Sequence, residues 1–113
     1  MLPKLLVKNA QSEILQSLTM SEDSLSIGRQ PGCRIVLPTP DVSRDHGAFT
    51  HSAASGVLSV EDHHSTNGIF VNGLQVRRTV LYTGDVVRIG LYKILISQGS
   101  SGTRSMAAIA KLA

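Results

Sequence analysis

Two short stretches hold most of the side chains able to do chemistry. Pro38-Thr39-Pro40-Asp41-Val42-Ser43-Arg44-Asp45-His46-Gly47 crowds a hydroxyl, a guanidinium, carboxylates and an imidazole together, and Asp62-His63-His64-Ser65-Thr66-Asn67-Gly68 is a second polar stretch further on. Arg29 closes an apolar run just before the first of them. A hydrolase would need Ser43, His46 and an Asp as a triad, but Ser43 lies outside any Gly-x-Ser-x-Gly elbow and 113 residues are few for such an enzyme. Zinc would need His46, His63, His64 and Cys33, whose spacing contains neither HExxH nor a paired CxxC. The remaining chemistry is recognition. Arginine forks and hydroxyl donors suit an anionic ligand, as does the net charge of +3. The expectation is a non-enzymatic module without cofactor or metal.

Side chains from two separated loops can form one site only if a rigid scaffold brings the loops together. Short β-branched and aliphatic runs recur between Gly, Pro, Asn and Asp, which predicts strands at Lys4–Lys8, Glu13–Thr19, Leu25–Arg29, Arg34–Leu37, Ala48–Ser52, Val57–Glu61, Ile69–Val71, Leu74–Val76, Val86–Ile89 and Tyr92–Ser97. Many short strands predict an all-β sandwich of two mainly antiparallel sheets, in which loops of distant connections gather at one end. Pro38 and Pro40 keep the first polar stretch out of any regular strand. Asn72-Gly73, between two apolar runs, predicts a type I′ hairpin turn. The domain is expected over residues 1–98. Residues 99–113, Gly/Ser-rich and then Met-Ala-Ala-Ile-Ala-Lys-Leu-Ala, read as a flexible tail or linker with the composition for a short helix.

Composition narrows the function classes. With 42% apolar and 17% charged residues the chain is built to fold, and its length allows one core. Aromatics are 4% and Trp is absent, so base-stacking platforms are missing, and the basic residues are spread along the sequence instead of forming a nucleic-acid footprint. The single cysteine, Cys33, suits a reducing compartment, and no run approaches the roughly 20 apolar residues of a membrane span. The expected setting is cytoplasmic, with neither nucleic acid nor membrane as partner.

Four ordered motifs carry a family resemblance: Gly28-Arg29, Ser43-Arg44-Asp45-His46, Ser65-Thr66-Asn67-Gly68 and Val71-Asn72-Gly73. With Cys33-Arg34-Ile35-Val36-Leu37 and Gly84-Asp85-Val86-Val87-Arg88-Ile89-Gly90 between and after them, the sequence from about Leu5 to Ser97 resembles a forkhead-associated (FHA) domain. The resemblance implies a phosphothreonine-dependent protein interaction module. Its partner would be a phosphothreonine-containing protein of kinase signalling, either a Ser/Thr kinase substrate or the kinase itself. The alternative within the same fold is phospho-independent docking or self-association.

The resemblance also implies roles. Arg29, Ser43, Arg44 and Thr66 become phosphate donors, and Asn67 becomes a bridge to the peptide main chain. His63, His64 and Ser65 become candidates for reading side chains after the phosphothreonine. Gly28, His46, Gly68 and Asn72 become structural, with a lesser chance of peptide contact for Asn72. The chemistry agrees with these roles, since a phosphothreonine brings about −1.5 to −2 charges and three acceptor oxygens that a fork of arginine donors and a hydroxyl can meet. Arg77-Arg78 reads as a solvated strand end, and His51 carries no role beyond the strand surface.

Overall fold

The computed structural model of the protein describes residues 2–102. Among them are eleven strands: β1 (Lys4–Lys8), β2 (Ile14–Thr19), β3 (Ser24–Gly28), β4 (Ile35–Val36), β5 (Gly47–Ser52), β6 (Val57–Asp62), β7 (Ile69–Val71), β8 (Leu74–Val76), β9 (Arg78–Leu81), β10 (Val86–Ile89) and β11 (Tyr92–Gln98). They form a six-stranded sheet in the order β2-β1-β11-β10-β7-β8 and a five-stranded sheet in the order β4-β3-β5-β6-β9. All pairings are antiparallel except the short β3–β4 pair. The expected sandwich of two mainly antiparallel sheets is what the chain builds, and no described residue is helical.

Alternation along each strand explains the two layers, because successive side chains point to opposite faces. Leu5 and Val7, Val87 and Ile89, Ile94 and Ile96 turn inward from the first sheet, and Leu25, Ile27, Phe49, Leu58, Val60 and Leu81 meet them from the second. Each such side chain contributes about 1.5–3 kcal/mol on burial. Phe49 heads the fully buried residues by volume, and with Tyr92 it supplies the rings of an otherwise aliphatic core.

The sequence missed one strand. Arg78–Leu81 becomes β9 because it pairs with Leu58–Glu61 of β6, burying Thr79 and Leu81 against the core. The Arg77-Arg78 pair at its start disguises this in the sequence. After β11, the Ser100 hydroxyl is buried, accepts from the Leu58 N–H at 2.8 Å and donates to the Leu58 carbonyl at 3.2 Å. The expected short helix in the tail lies outside the described residues.

The hairpin turn forms as anticipated, with Asn72 and Gly73 at φ of 50° and 88° between the paired residues Val71 and Leu74. Asn72 does more than turn the chain. Its Nδ2 donates to Asp85 Oδ1 at 2.9 Å, and its Oδ1 accepts from the Val86 N–H at 2.9 Å. This ties the β7–β8 turn to the β9–β10 turn. Asn72→Ala removes both bonds and the residue type that tolerates positive φ. The expected cost is about 1–3 kcal/mol, which a thermal melt reads as a fall of about 4–8 °C per kcal/mol. A melt identical to wild type would refute this role.

Candidate functional site

Everything at the loop end begins with how closely two backbones approach. Arg29 N–H donates to the Ser43 carbonyl at 3.0 Å and Gln30 N–H to the Arg44 carbonyl at 3.4 Å, so the segment after β3 runs beside the polar loop. Gly28 permits this. A Cβ there would overlap the Arg44 carbonyl oxygen and come within 2.9 Å of Cys33 Sγ. Arg29 and Arg44 therefore leave adjacent stretches of main chain at the same end of the sandwich, both exposed.

Their guanidinium groups are differently occupied. Arg29 Nε donates to the Val42 carbonyl at 3.0 Å, which orients the fork and leaves its terminal nitrogens for another partner. Arg44 enters no ion pair among the described residues. Between them Ser43 is half-buried, and its Oγ accepts from the Thr66 N–H at 3.1 Å. Accepting that bond leaves the hydroxyl its own proton as a donor.

Beneath the loops lies His46, fully buried. Its Nδ1 accepts from the Ser43 N–H at 3.0 Å, which fixes the proton on Nε2, and Nε2–H donates to the Gly68 carbonyl at 2.8 Å. Its own N–H donates to Ile27 at 2.9 Å, and its carbonyl accepts from His63 N–H at 2.9 Å. One residue thus ties β3, the Ser43 loop and the Asn67 loop together.

The second polar loop is held by its own side chains. Ser65 N–H donates to Asp62 Oδ1 at 3.1 Å and Gly68 N–H to Ser65 Oγ at 2.9 Å, while Gly68 adopts φ of 84°. Thr66 and Asn67 project at its tip, and Asn67 Nδ2 donates to the Asp41 carbonyl at 2.9 Å. Ser65 thus shapes the loop. His64 is exposed at φ of 56°, whereas His63 faces away from it to meet Asp45 at 2.9 Å and Glu61 at 3.8 Å.

Asp41 is a site residue to which the sequence assigned no role. Its Oδ2 accepts from the Leu91 N–H at 2.9 Å and so pins the β10–β11 turn to the loop. Its carboxyl is held below the usual carboxylate range, first by the Thr39 hydroxyl nearby, although that oxygen falls outside strict hydrogen-bond geometry, and then by its own N–H and that of Leu91. A depressed folded-state value stabilises the fold above the ordinary pKa, and that contribution is lost as pH falls through the folded value, below about 4.

The structure brings Arg29, Ser43, Arg44, Thr66 and Asn67 to one end, over Gly28, His46 and Gly68. Asn72 lies elsewhere: β7 runs from Gly68 at the loop end to Asn72 at the opposite end. Among the described residues no group of three His, Cys, Asp or Glu side chains could hold a metal ion.

Comparison with known proteins is specific. The model of the FHA domain family matches residues 25–90. The glycogen accumulation regulator GarA of Mycolicibacterium smegmatis is 35% identical over 91 residues, spanning 80% of this chain and 54% of that protein. The FHA domain of FhaA, crystallised in complex with the intracellular domain of Rv3910, superposes with a TM-score of 0.73 at 30% identity, covering 83% of this chain and 98% of that one. A chain from a structural and functional analysis of phosphothreonine-dependent FHA domain interactions superposes at 0.71 with 29% identity, covering 82% and 94%. The chain spans about half the length of GarA, and only 9% of a longer relative, an ABC transporter protein of Mycobacterium tuberculosis.

His46→Ala leaves the Ser43 N–H and the Gly68 carbonyl without their partner inside the domain. Each unsatisfied buried group costs on the order of 1–3 kcal/mol. The variant is expected to melt well below wild type and to lose amide-exchange protection at Ser43 and in the Asn67 loop. Wild-type melting would show that the imidazole does not hold the loops.

Proposed function

The chain belongs to the FHA domain family, and we propose that it binds phosphothreonine in a partner protein of kinase signalling, acting as an interaction module and not as an enzyme. The observation that supports this reading is that the main chains of Arg29 and Arg44 run side by side at the loop end that also carries the Ser43 hydroxyl and the Asn67 amide, with donors still uncommitted. A tetrahedral dianion with three acceptor oxygens matches that set, whereas a planar monoanionic carboxylate cannot engage both forks and the hydroxyl at once. Asn67 keeps its carbonyl oxygen and one amide hydrogen for the main chain of an extended peptide.

The FhaA complex and the phosphothreonine-dependent interactions of the second neighbour support the assignment by analogy. Thr66 contributes through its exposed hydroxyl, and exposed His64 is the better candidate of the two histidines for contact with residues after the phosphothreonine, because the His63 ring is engaged by Asp45. A cytoplasmic setting is part of the proposal.

Calorimetry with matched peptides carrying phosphothreonine, threonine or glutamate tests the reading. Only the first is expected to bind. Arg29→Ala and Ser43→Ala each remove one charge-assisted bond, worth about 1.5–3 kcal/mol, so affinity should fall roughly ten- to a hundredfold with unchanged melting. Wild-type affinity in both variants, or equal binding of the unphosphorylated peptide, favours phospho-independent docking instead.

Affinity should also fall as pH drops through about 6, where the phosphate takes up its second proton. His63→Gln with His64→Gln removes two imidazoles from the comparison without adding charge, and a melt at each pH checks that His46 still holds the loops. Binding that stays constant between about pH 5 and 7.5 in that variant argues against a dianionic ligand.

A further inference from the structure

The six strands of the β1-containing sheet carry four cations, Lys4, Lys8, Arg88 and Lys93, and no Asp or Glu. Strand register brings together three of them that the sequence separates widely. Phe70 is paired with Arg88, Arg88 with Lys93, and Lys93 with Lys8, on four neighbouring strands. Their neighbours Val7, Val87, Ile89, Tyr92 and Ile94 are buried, so the row faces outward.

Like charges directly opposite each other on adjacent strands are destabilising. No carboxylate relieves them, since the ion pairs among the described residues are Arg34–Glu22 and those of His63 with Asp45 and Glu61. The nearest acids along the chain are engaged elsewhere: Asp85 is buried and accepts from Asn72 Nδ2 and the Tyr82 N–H, and Glu13 accepts from the Asn9 side chain at 3.0 Å. Arg88 stacks over the Phe70 ring, 4.2 Å from its centroid, which holds its charge in place on the surface. Half-buried Leu6 and Leu95, paired with each other, lie on the same face two residues along their strands from this row.

The row begins beside the candidate site. Phe70 follows Asn67 by three residues, roughly 10 Å of extended chain. The Gly90-Leu91 turn that joins Arg88 to Lys93 is pinned by Asp41, whose carbonyl also receives the Asn67 amide. With strands about 4.8 Å apart, the cations extend a further ~14 Å from β7 to β1.

We propose that this outer sheet face is a second docking surface, which takes an acidic run of the same phosphothreonine-bearing partner about four to eight residues from the phosphothreonine. The inference rests on the phosphothreonine reading of the loop end. Charge complementarity requires an anion, and continuity with the loop end favours the partner's own chain. A nucleic acid would call for exposed stacking aromatics beyond the single Phe70 that Arg88 already covers. A lipid surface would call for a denser basic cluster.

The test uses phosphothreonine peptides that differ only in carrying a Glu run or a Gln run at that distance, on either side of the phosphothreonine. Wild type is expected to bind the Glu form about five- to tenfold more tightly at low salt, with the gain fading as ionic strength rises. The triple variant Lys8→Gln, Arg88→Gln, Lys93→Gln should keep its affinity for the Gln form and lose the gain. The double variant Lys8→Gln, Lys93→Gln, which preserves the stack on Phe70, should lose most of it.

Equal wild-type binding of the Glu and Gln forms overturns the second surface and leaves the phosphate site standing. Failure of both forms to bind overturns the phosphothreonine reading instead. Amide chemical-shift mapping with the unphosphorylated Glu peptide then decides the surface: shifts at Lys8, Arg88 and Lys93 support it, and their absence overturns it. Shifts there with a short DNA duplex or phosphatidylserine vesicles, but none with the Glu peptide, assign the face to another ligand and overturn the proposal.

Discussion

The loop end of the sandwich depends on one buried imidazole. Two long loops carrying arginines, hydroxyls and amides do not by themselves hold a geometry, because each ordered residue costs roughly 1–2 kcal/mol in backbone entropy. His46 supplies bonds that neither loop can make alone: one ring nitrogen accepts from Ser43 and the other donates to Gly68. Both act in a dry setting, where a satisfied polar network is rigid and an unsatisfied one is costly. A residue of different reach would leave one loop unattached. Gly28 is the complementary constraint, since the Arg44 carbonyl occupies the space its side chain would need.

The same loops show why position in the fold outweighs residue type. His63 and His64 are adjacent in sequence and differ in fate: one ring is drawn onto Asp45, the other is turned into solvent by a left-handed backbone. Ser43 and Ser65 also diverge. Ser65 spends its oxygen on Gly68 inside its own loop, whereas Ser43 accepts from Thr66 across the gap and so joins the two loops.

Much of this was legible in the sequence. The alternation of Leu5, Val7, Ile94 and Ile96, and the Asn72-Gly73 turn, are local signals that a strand or a turn imposes on its own residues. What was hidden depends on partners distant in the chain. Arg78–Leu81 becomes a strand because β6 offers it an edge, and Ser100 is buried because Leu58 offers both a donor and an acceptor. Asp41 lay in plain view within a polar loop, but its role needs Leu91, fifty residues away. The basic row was hidden for the same reason. Lys8, Arg88 and Lys93 look scattered until register aligns them, so the spread of charge along the sequence understated its concentration on the surface.

The bonds within the loop end suit the anion proposed for it. Arg29 is oriented by Val42 through Nε, which is the nitrogen that a ligand gripping the two terminal nitrogens does not need. Ser43 meets Thr66 as an acceptor, which leaves its proton to offer. Asn67 is anchored through one amide hydrogen to Asp41 and keeps the rest of its amide available. In each case the bond made within the protein engages the part of the side chain that phosphate or peptide recognition can forgo. For these three side chains little ordering is then left to occur on binding, where each immobilised rotamer would otherwise cost about 0.5–1.5 kcal/mol. The polar contacts that hold the loops together therefore also set the direction in which their remaining donors point.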